Sequence, residues 1–149
     1  MIKVYQTIVD PGKGNCMQAV VASLFEKDIQ EIPNFINFGT QWWPEIYNYY
    51  NCNGYNGIGC LDPKGRIELT KRALEFDGGV NGFWAAFVPS QTFKDSSHAV
   101  IIDKDLNIVH DPNPNQKALL LGPEDITKID IVHPGWYIDG DVLVIGPND

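Results

Sequence analysis

The run Gln18 to Phe25 has helical spacing but leaves little polar face, since Ala19, Val20, Ala22, Ser23 and Leu24 are all small or apolar. A helix that is apolar all round has to be enclosed, so any fold of this chain must place the segment near its centre. The second half of the sequence supplies what can enclose it. Beyond Gly78-Gly79, the residues Phe83 to Val88, His98 to Asp103, Leu106 to His110, Ile129 to Val132 and Val142 to Ile145 are short apolar runs bounded by Gly, Pro, Asn or Asp, which is the pattern of strands. A helical first half followed by strands predicts an α+β domain, with an N-terminal helix packed on an antiparallel sheet. At 149 residues and 44% hydrophobic content, one domain spanning residues 1–149 has enough apolar surface for a core.

Local signals fill in the rest. Residues 2 to 9 alternate weakly and predict a short strand, and Asp10-Pro11-Gly12-Lys13-Gly14 is turn chemistry. Asp28 and Glu31 have capping-box spacing, but Pro33 limits that segment to about one helical turn. Gln41 to Tyr50 predicts a helix with Pro44 in its first turn, where a missing N–H does no harm. Gly54 to Gly65 reads as a loop. Arg66 to Phe76 mixes strand formers with Ala73, Leu74 and Glu75 and reads as a helix. Trp42, Trp43, Tyr47, Tyr49 and Tyr50 either cover the sheet and the central helix, line a groove, or form an exposed patch for assembly.

Composition excludes several classes. A net charge of -8 with 11 scattered Lys and Arg gives no footprint for nucleic acid or an anionic membrane. No apolar stretch approaches the roughly 20 residues of a membrane span, and Met1 to Gln6 lacks the regions of a signal peptide, so a cytoplasmic protein is expected. Three cysteines are too few and odd in number for a disulfide framework, so Cys16, Cys52 and Cys60 are expected as reduced thiols. No Cys-x-x-Cys or His-x-x-x-His spacing suggests zinc, and the glycine-rich stretch 53 to 59 lacks the Lys-Ser/Thr ending of a phosphate loop. Neither a metal nor a cofactor is expected.

Chemistry concentrates at Gly14-Asn15-Cys16-Met17, where the turn gives way to the helix. Free N–H groups and the positive end of the helix dipole favour an anion there, which inclines a cysteine toward thiolate. His98 opens a later strand, and Asp111 ends the next one. If Lys104 and Asp105 make a two-residue hairpin loop, Asp103 pairs with Leu106 and, counting outward, His98 faces Asp111 directly, their Cβ atoms about 4.5 to 5.5 Å apart. A loop one residue longer would set Ala99 there instead. The carboxylate would then fix one imidazole nitrogen while the other faces the thiol. Gln6, with the Cys16 N–H, is the candidate oxyanion donor, and Asn15 and Gln18 are its rivals. His110 points opposite to Asp111 along a strand, and His133 sits in a loop. Taken singly, each has a structural reading: Cys16 as a small buried hydrophobe, His98 as a core histidine, Asp111-Pro112 as a turn. The ordered combination is what points to a nucleophile, a base and an orienting acid.

Gly14-Asn15-Cys16-Met17-Gln18-Ala19, Ile32-Pro33-Asn34-Phe35, the Trp-bearing segment, His98-Ala99-Val100 and His110-Asp111-Pro112-Asn113-Pro114 together resemble a group of small bacterial and bacteriophage proteins. These look papain-like and are similar in layout to the C39-type peptidases, which trim leader peptides. The resemblance covers roughly residues 4 to 122. It implies a papain-like fold with Cys16 as nucleophile, His98 as base and Asp111 as orienting residue. C39-type enzymes usually follow the cysteine with glycine, where this chain has Met17, and their oxyanion glutamine lies nearer the cysteine than Gln6 does. The implied activity is that of a cysteine hydrolase, whether peptidase, amidase or deamidase, on a peptide, protein or small amide. The alternative is a binding protein that keeps the fold without turnover. A phage origin would place either one in host cytoplasm, the binding protein sequestering a host protein or a small molecule.

Overall fold

Five strands form an antiparallel sheet in the order β1-β5-β2-β3-β4, comprising β1 (Gly59–Leu61), β2 (Trp84–Pro89), β3 (Ser97–Ile102), β4 (Ile108–His110) and β5 (Lys128–Ile131). A separate hairpin joins β6 (Trp136–Asp139) to β7 (Val142–Ile145). Three α-helices cover the sheet: α1 (Cys16–Phe25), α2 (Trp42–Cys52) and α3 (Ile67–Asp77). This computed structural model describes residues 1–10, 14–55, 58–133 and 135–145. The expected turn at Asp10 to Gly14 and the glycine-rich stretch 53 to 59 therefore lie partly outside the described residues.

The enclosure demanded by the apolar helix is met from one face of the sheet. Val20, Val21 and Leu24 of α1 pack with Ala85, Ala99 and Ile101 of β2 and β3 and with Ile46 and Tyr50 of α2. Side chains alternate across a strand, so Ala86, Val88, Val100 and Ile102 point the other way, where they meet Leu74 of α3 and Trp136 of β6. Being covered on both faces, β3 reads as the unbroken apolar run Ala99-Val100-Ile101-Ile102 rather than an alternating one. No helix among the described residues is long and apolar enough to cross a membrane.

Two expectations are corrected and one element is added. Residues 2 to 9 form no strand: Ile2 and Val4 donate their N–H groups to the Ser23 carbonyl and hydroxyl at 3.1 and 2.9 Å, and Gln6 donates to the Pro112 carbonyl at 2.9 Å. Partners from a helix and a loop thus take the place of a neighbouring strand. The segment expected as loop from Gly54 to Gly65 contains β1, held by pairing with β5. Residues 136–139, given no element from sequence, form β6 through pairing with β7.

Asp77 had no role in the sequence reading and proves to be a structural knot. Its buried carboxylate accepts from the indole N–H of Trp84 at 2.7 Å, from the backbone N–H of Val132 and His133, and from the indole of Trp136 at 3.2 Å. These charge-assisted bonds offset its desolvation and tie α3 to β2 and β6. Two residues on, Gly79 has φ of 61°, and a Cβ there would lie 2.5 Å from the Phe83 carbonyl. Only glycine fits that turn.

Candidate active site

Cys16 is the first residue of α1, and the chain enters it through a side-chain clamp. The Asn15 carbonyl oxygen of the side chain accepts the N–H groups of Thr7 and Ile8 at 3.0 and 2.8 Å. Its amide donates to the Thr7 hydroxyl and to Gln18. Gln18 in turn donates to the carbonyls of Ile29 and Ile32 at 3.0 and 2.8 Å. Both oxyanion rivals are thereby committed to holding loops. Gln6 differs: it is 6% exposed, lines the same cavity as Cys16, and donates from Nε2 to the Ile8 carbonyl at 2.8 Å, while its Oε1 has no hydrogen-bond partner among the described residues.

His98 and Asp111 meet by a route the simple hairpin did not anticipate. The turn between β3 and β4 is one residue longer, Lys104 to Leu106, closed by the Asp103 N–H donating to the Asn107 carbonyl at 3.1 Å, with Leu106 at φ of 64°. A type I turn ending in a left-handed residue has this form. The Asp103 carboxylate steadies it by accepting from the N–H groups of Asp105 and Asn107. That longer turn alone would carry Asp111 to the wrong face. A bulge then adds a second shift, for Ile102 faces Ile108 while Ile101 faces His110, leaving Val109 as the extra residue. Because the side-chain period is two, two single shifts restore the face. Continued past His110, this register sets Asp111 across from Val100, so His98 reaches it diagonally rather than directly.

The contact itself is close: His98 Nε2 donates to Asp111 Oδ1 at 2.6 Å. Asp111, 2% exposed, also accepts the Asn113 N–H at Oδ1 and the Ala118 N–H at Oδ2, both at 2.9 Å. Burial pushes its pKa up, but the bonds from His98, Ala118 and Asn113 outweigh this and hold it below the ordinary value. With Nε2 committed to Asp111, Nδ1 is the ring nitrogen left for a thiol, and the cavity that His98 lines is also lined by Cys16. Burial opposes charge on this imidazole, yet Asp111 and Cys16 together raise its pKa to about 9. For Cys16, burial likewise opposes the anion. The hydrogen bond and charge of His98, with the N–H groups of Ala99 and Met17, bring its thiol below the ordinary value. The geometry therefore favours a thiolate–imidazolium pair oriented by a carboxylate.

A cavity of about 250 Å³ lies over the pair. Its lining includes Cys16, His98, Asp111 and Gln6, with Val9, Ile36 and the β2–β3 loop around them. Cys16 is half-buried; Cys52 and Cys60 are exposed and unbridged. Desolvation raises the Cys60 thiol, opposite in direction to Cys16.

The remaining sequence candidates fall outside this arrangement. His110 donates from Nε2 to the Val4 carbonyl at 2.7 Å, and burial lowers its pKa, so it anchors the N-terminal segment as a neutral ring. His133 is exposed, with its backbone N–H on Asp77. Of the aromatic segment, Tyr50 is buried and Trp43 receives the Lys128 ammonium 3.9 Å from its ring centroid, while Trp42 and Tyr47 are exposed. None of these aromatics lines the cavity. Among the described residues no group of three or more His, Cys, Asp and Glu could hold a metal ion. Sequence reasoning missed the Asn113 and Ala118 donors to Asp111. The Asp-Pro-Asn-Pro spacing was their available signal, since an Asp side chain readily takes the N–H two residues on. Comparison with family models, with curated proteins and with solved structures yields no match to this chain.

Proposed function

We propose that this protein is a papain-like thiol hydrolase that cleaves an amide or related acyl bond through a Cys16 thioester, with His98 as acid and base and Asp111 as the orienting residue. The observation that supports the reading is one cavity lined by a half-buried thiol on a helix N-terminus, an imidazole and the carboxylate bonded to it, that carboxylate being held by three donors.

The steps follow from the ionic states. The thiolate attacks the acyl carbon, a C–S bond forms, and negative charge moves to the carbonyl oxygen. The Cys16 N–H lies in the first helical turn, where an α-helix has no acceptor for it. With the second Nε2–H of Gln6 it forms the oxyanion site. His98 then gives its proton to the leaving nitrogen as the C–N bond breaks. Water attacks the thioester, His98 takes up its proton, and the C–S bond breaks to release the acid and the thiol.

The test uses an electrophilic activity probe followed by mass spectrometry of the intact protein and its peptides. The reading expects one adduct, on Cys16, absent from Cys16→Ala and strongly reduced in His98→Ala. Equal, slow modification of Cys16, Cys52 and Cys60 would instead favour a binding protein that retains the fold without turnover. In that case Cys16→Ala would leave partner affinity unchanged.

A further inference from the structure

We infer that the acyl group this cleft accepts is a primary carboxamide, that of a glutamine side chain, so that the reaction is deamidation rather than scission of a peptide backbone. The inference rests on the thiol-hydrolase reading above and names its substrate class.

Gln6 supplies the first argument. Its side chain is 6% exposed and lines the cavity, yet Oε1 has no donor among the described residues while Nε2 spends one of its two protons on the Ile8 carbonyl. A buried acceptor left unpaired is costly and points to a group that arrives from outside the chain. The ligand that completes it must bring an N–H. If the Ile8 carbonyl takes the Nε2 proton that points away from Oε1 and the remaining Nε2–H holds the substrate carbonyl oxygen, the substrate N–H has to lie on the same side as its carbonyl, because Gln6 then offers donor and acceptor side by side. A primary carboxamide has such an N–H. A trans peptide bond directs its single N–H away from its carbonyl and cannot make the reciprocal pair.

Size and charge agree. At about 250 Å³, the cavity falls below the roughly 300–1,000 Å³ that enclose drug-sized ligands. It has room for one side chain over the sulfur. Gln91, Ser96 and Asn113 line it with neutral hydrogen-bonding groups, and Val9 and Ile36 offer apolar surface for methylenes. Among the described residues, Asp10 and Lys117 are its one acid and one base outside the triad. The product balance is also favourable: carboxamide and water give a carboxylate and ammonia. The carboxamide C–N bond breaks with a proton from His98, and the new C–O bond comes from water. A chain of net charge -8 repels the anion so formed.

The carboxamide could be free or carried on a protein, and the assay separates these. Ammonia release is measured with free glutamine, with an N-blocked glutaminyl-glycine and with unfolded casein, alongside chain scission of casein and of a fluorogenic peptide. Ammonia release from at least one donor, with kcat/KM at least about tenfold above any peptide cleavage, is expected. Faster chain scission overturns the inference, as does the absence of ammonia when Cys16 labels rapidly; both leave the thiol-hydrolase reading standing. Slow labelling of Cys16 overturns both. A ratio guards against partly folded variants: in Gln6→Met, turnover of the blocked glutamine relative to its γ-methyl ester, which lacks an N–H, should fall at least about tenfold. An unchanged ratio overturns the pairing with Gln6.

Discussion

Asp111 and Asp130 are equally removed from solvent, at 2% and 1% exposed, the first just past the edge strand β4 and the second on β5 of the same sheet, yet their environments drive them in opposite directions. Asp111 accepts from His98, Asn113 and Ala118 and is held below the ordinary carboxylate value. Asp130, on β5 opposite Cys60, has no hydrogen bond to either oxygen among the described residues. Its nearest cation, the Lys128 ammonium, is 3.6 Å away and also stacked on Trp43. Burial therefore pushes Asp130 up to about 7, against the pull of Lys128. Burial by itself does not decide whether a carboxylate is an anion; the number and aim of its donors do. At Asp111 the donors make an anion that can hold an imidazolium in place. At Asp130 their lack leaves a group that resists charge.

The largest effect that would sharpen this contrast is loss of the donor-held anion. Asp111→Asn is expected to lower kcat by about 10³- to 10⁴-fold while the fold survives, because the imidazole loses its orientation and its charge partner. The same substitution lowers the His98 pKa from about 9, which NMR titration of the ring would read directly. An unshifted ring would break the assignment of Asp111 as the orienting group.

Activity should follow pH as a bell. On the acid side it falls as the Cys16 thiolate is protonated, and on the basic side as His98 loses its proton through about 9. Stability carries the two carboxylates with opposite signs. The folded pKa of Asp111 lies below its unfolded one, so its contribution is present above the unfolded value and lost as pH falls toward the folded one. Asp130 is raised to about 7 in the fold, so the folded state keeps a proton that the unfolded chain has released, and stability drops as pH rises from about 4 to 7. Asp130→Asn is accordingly expected to stabilise the protein at pH 8 by roughly 1–3 kcal/mol, with little change at pH 4. Urea denaturation at the two pH values measures this. Destabilisation at pH 8 would mean that the Lys128 contact outweighs desolvation. The smallest effect belongs to the exposed Cys52, whose change to Ser should alter stability by less than about 0.5 kcal/mol and leave activity intact.

Part of this site was legible in sequence and part was not, for reasons that differ by residue. Cys16 was legible because loop chemistry followed by an apolar helix marks a terminus, and termini concentrate N–H groups. His98 and Asp111 were legible as types at the ends of strands, but their pairing was not, because it depends on register. Two departures, a longer turn at Lys104 to Leu106 and a bulge at Val109, cancel in parity, and no local pattern encodes that they come together. Asn15 and Gln18 looked like oxyanion donors from proximity alone; their commitment to Thr7, Ile8, Ile29 and Ile32 is long-range and invisible in the chain. Asp77 and Asp130 were silent for the same reason. Nothing nearby distinguishes an acid that gathers four N–H groups from one that gathers none.

The central claim is that Cys16 shares its proton with His98, and the pH profile of its alkylation tests that claim most directly. With iodoacetamide and peptide-level mass spectrometry, the Cys16 rate should reach its plateau at a pH well below the free-thiol value of about 8.5, and His98→Ala should move the plateau upward. A Cys16 profile that rises through about 8.5 in step with Cys52, and is untouched by His98→Ala, would contradict the account.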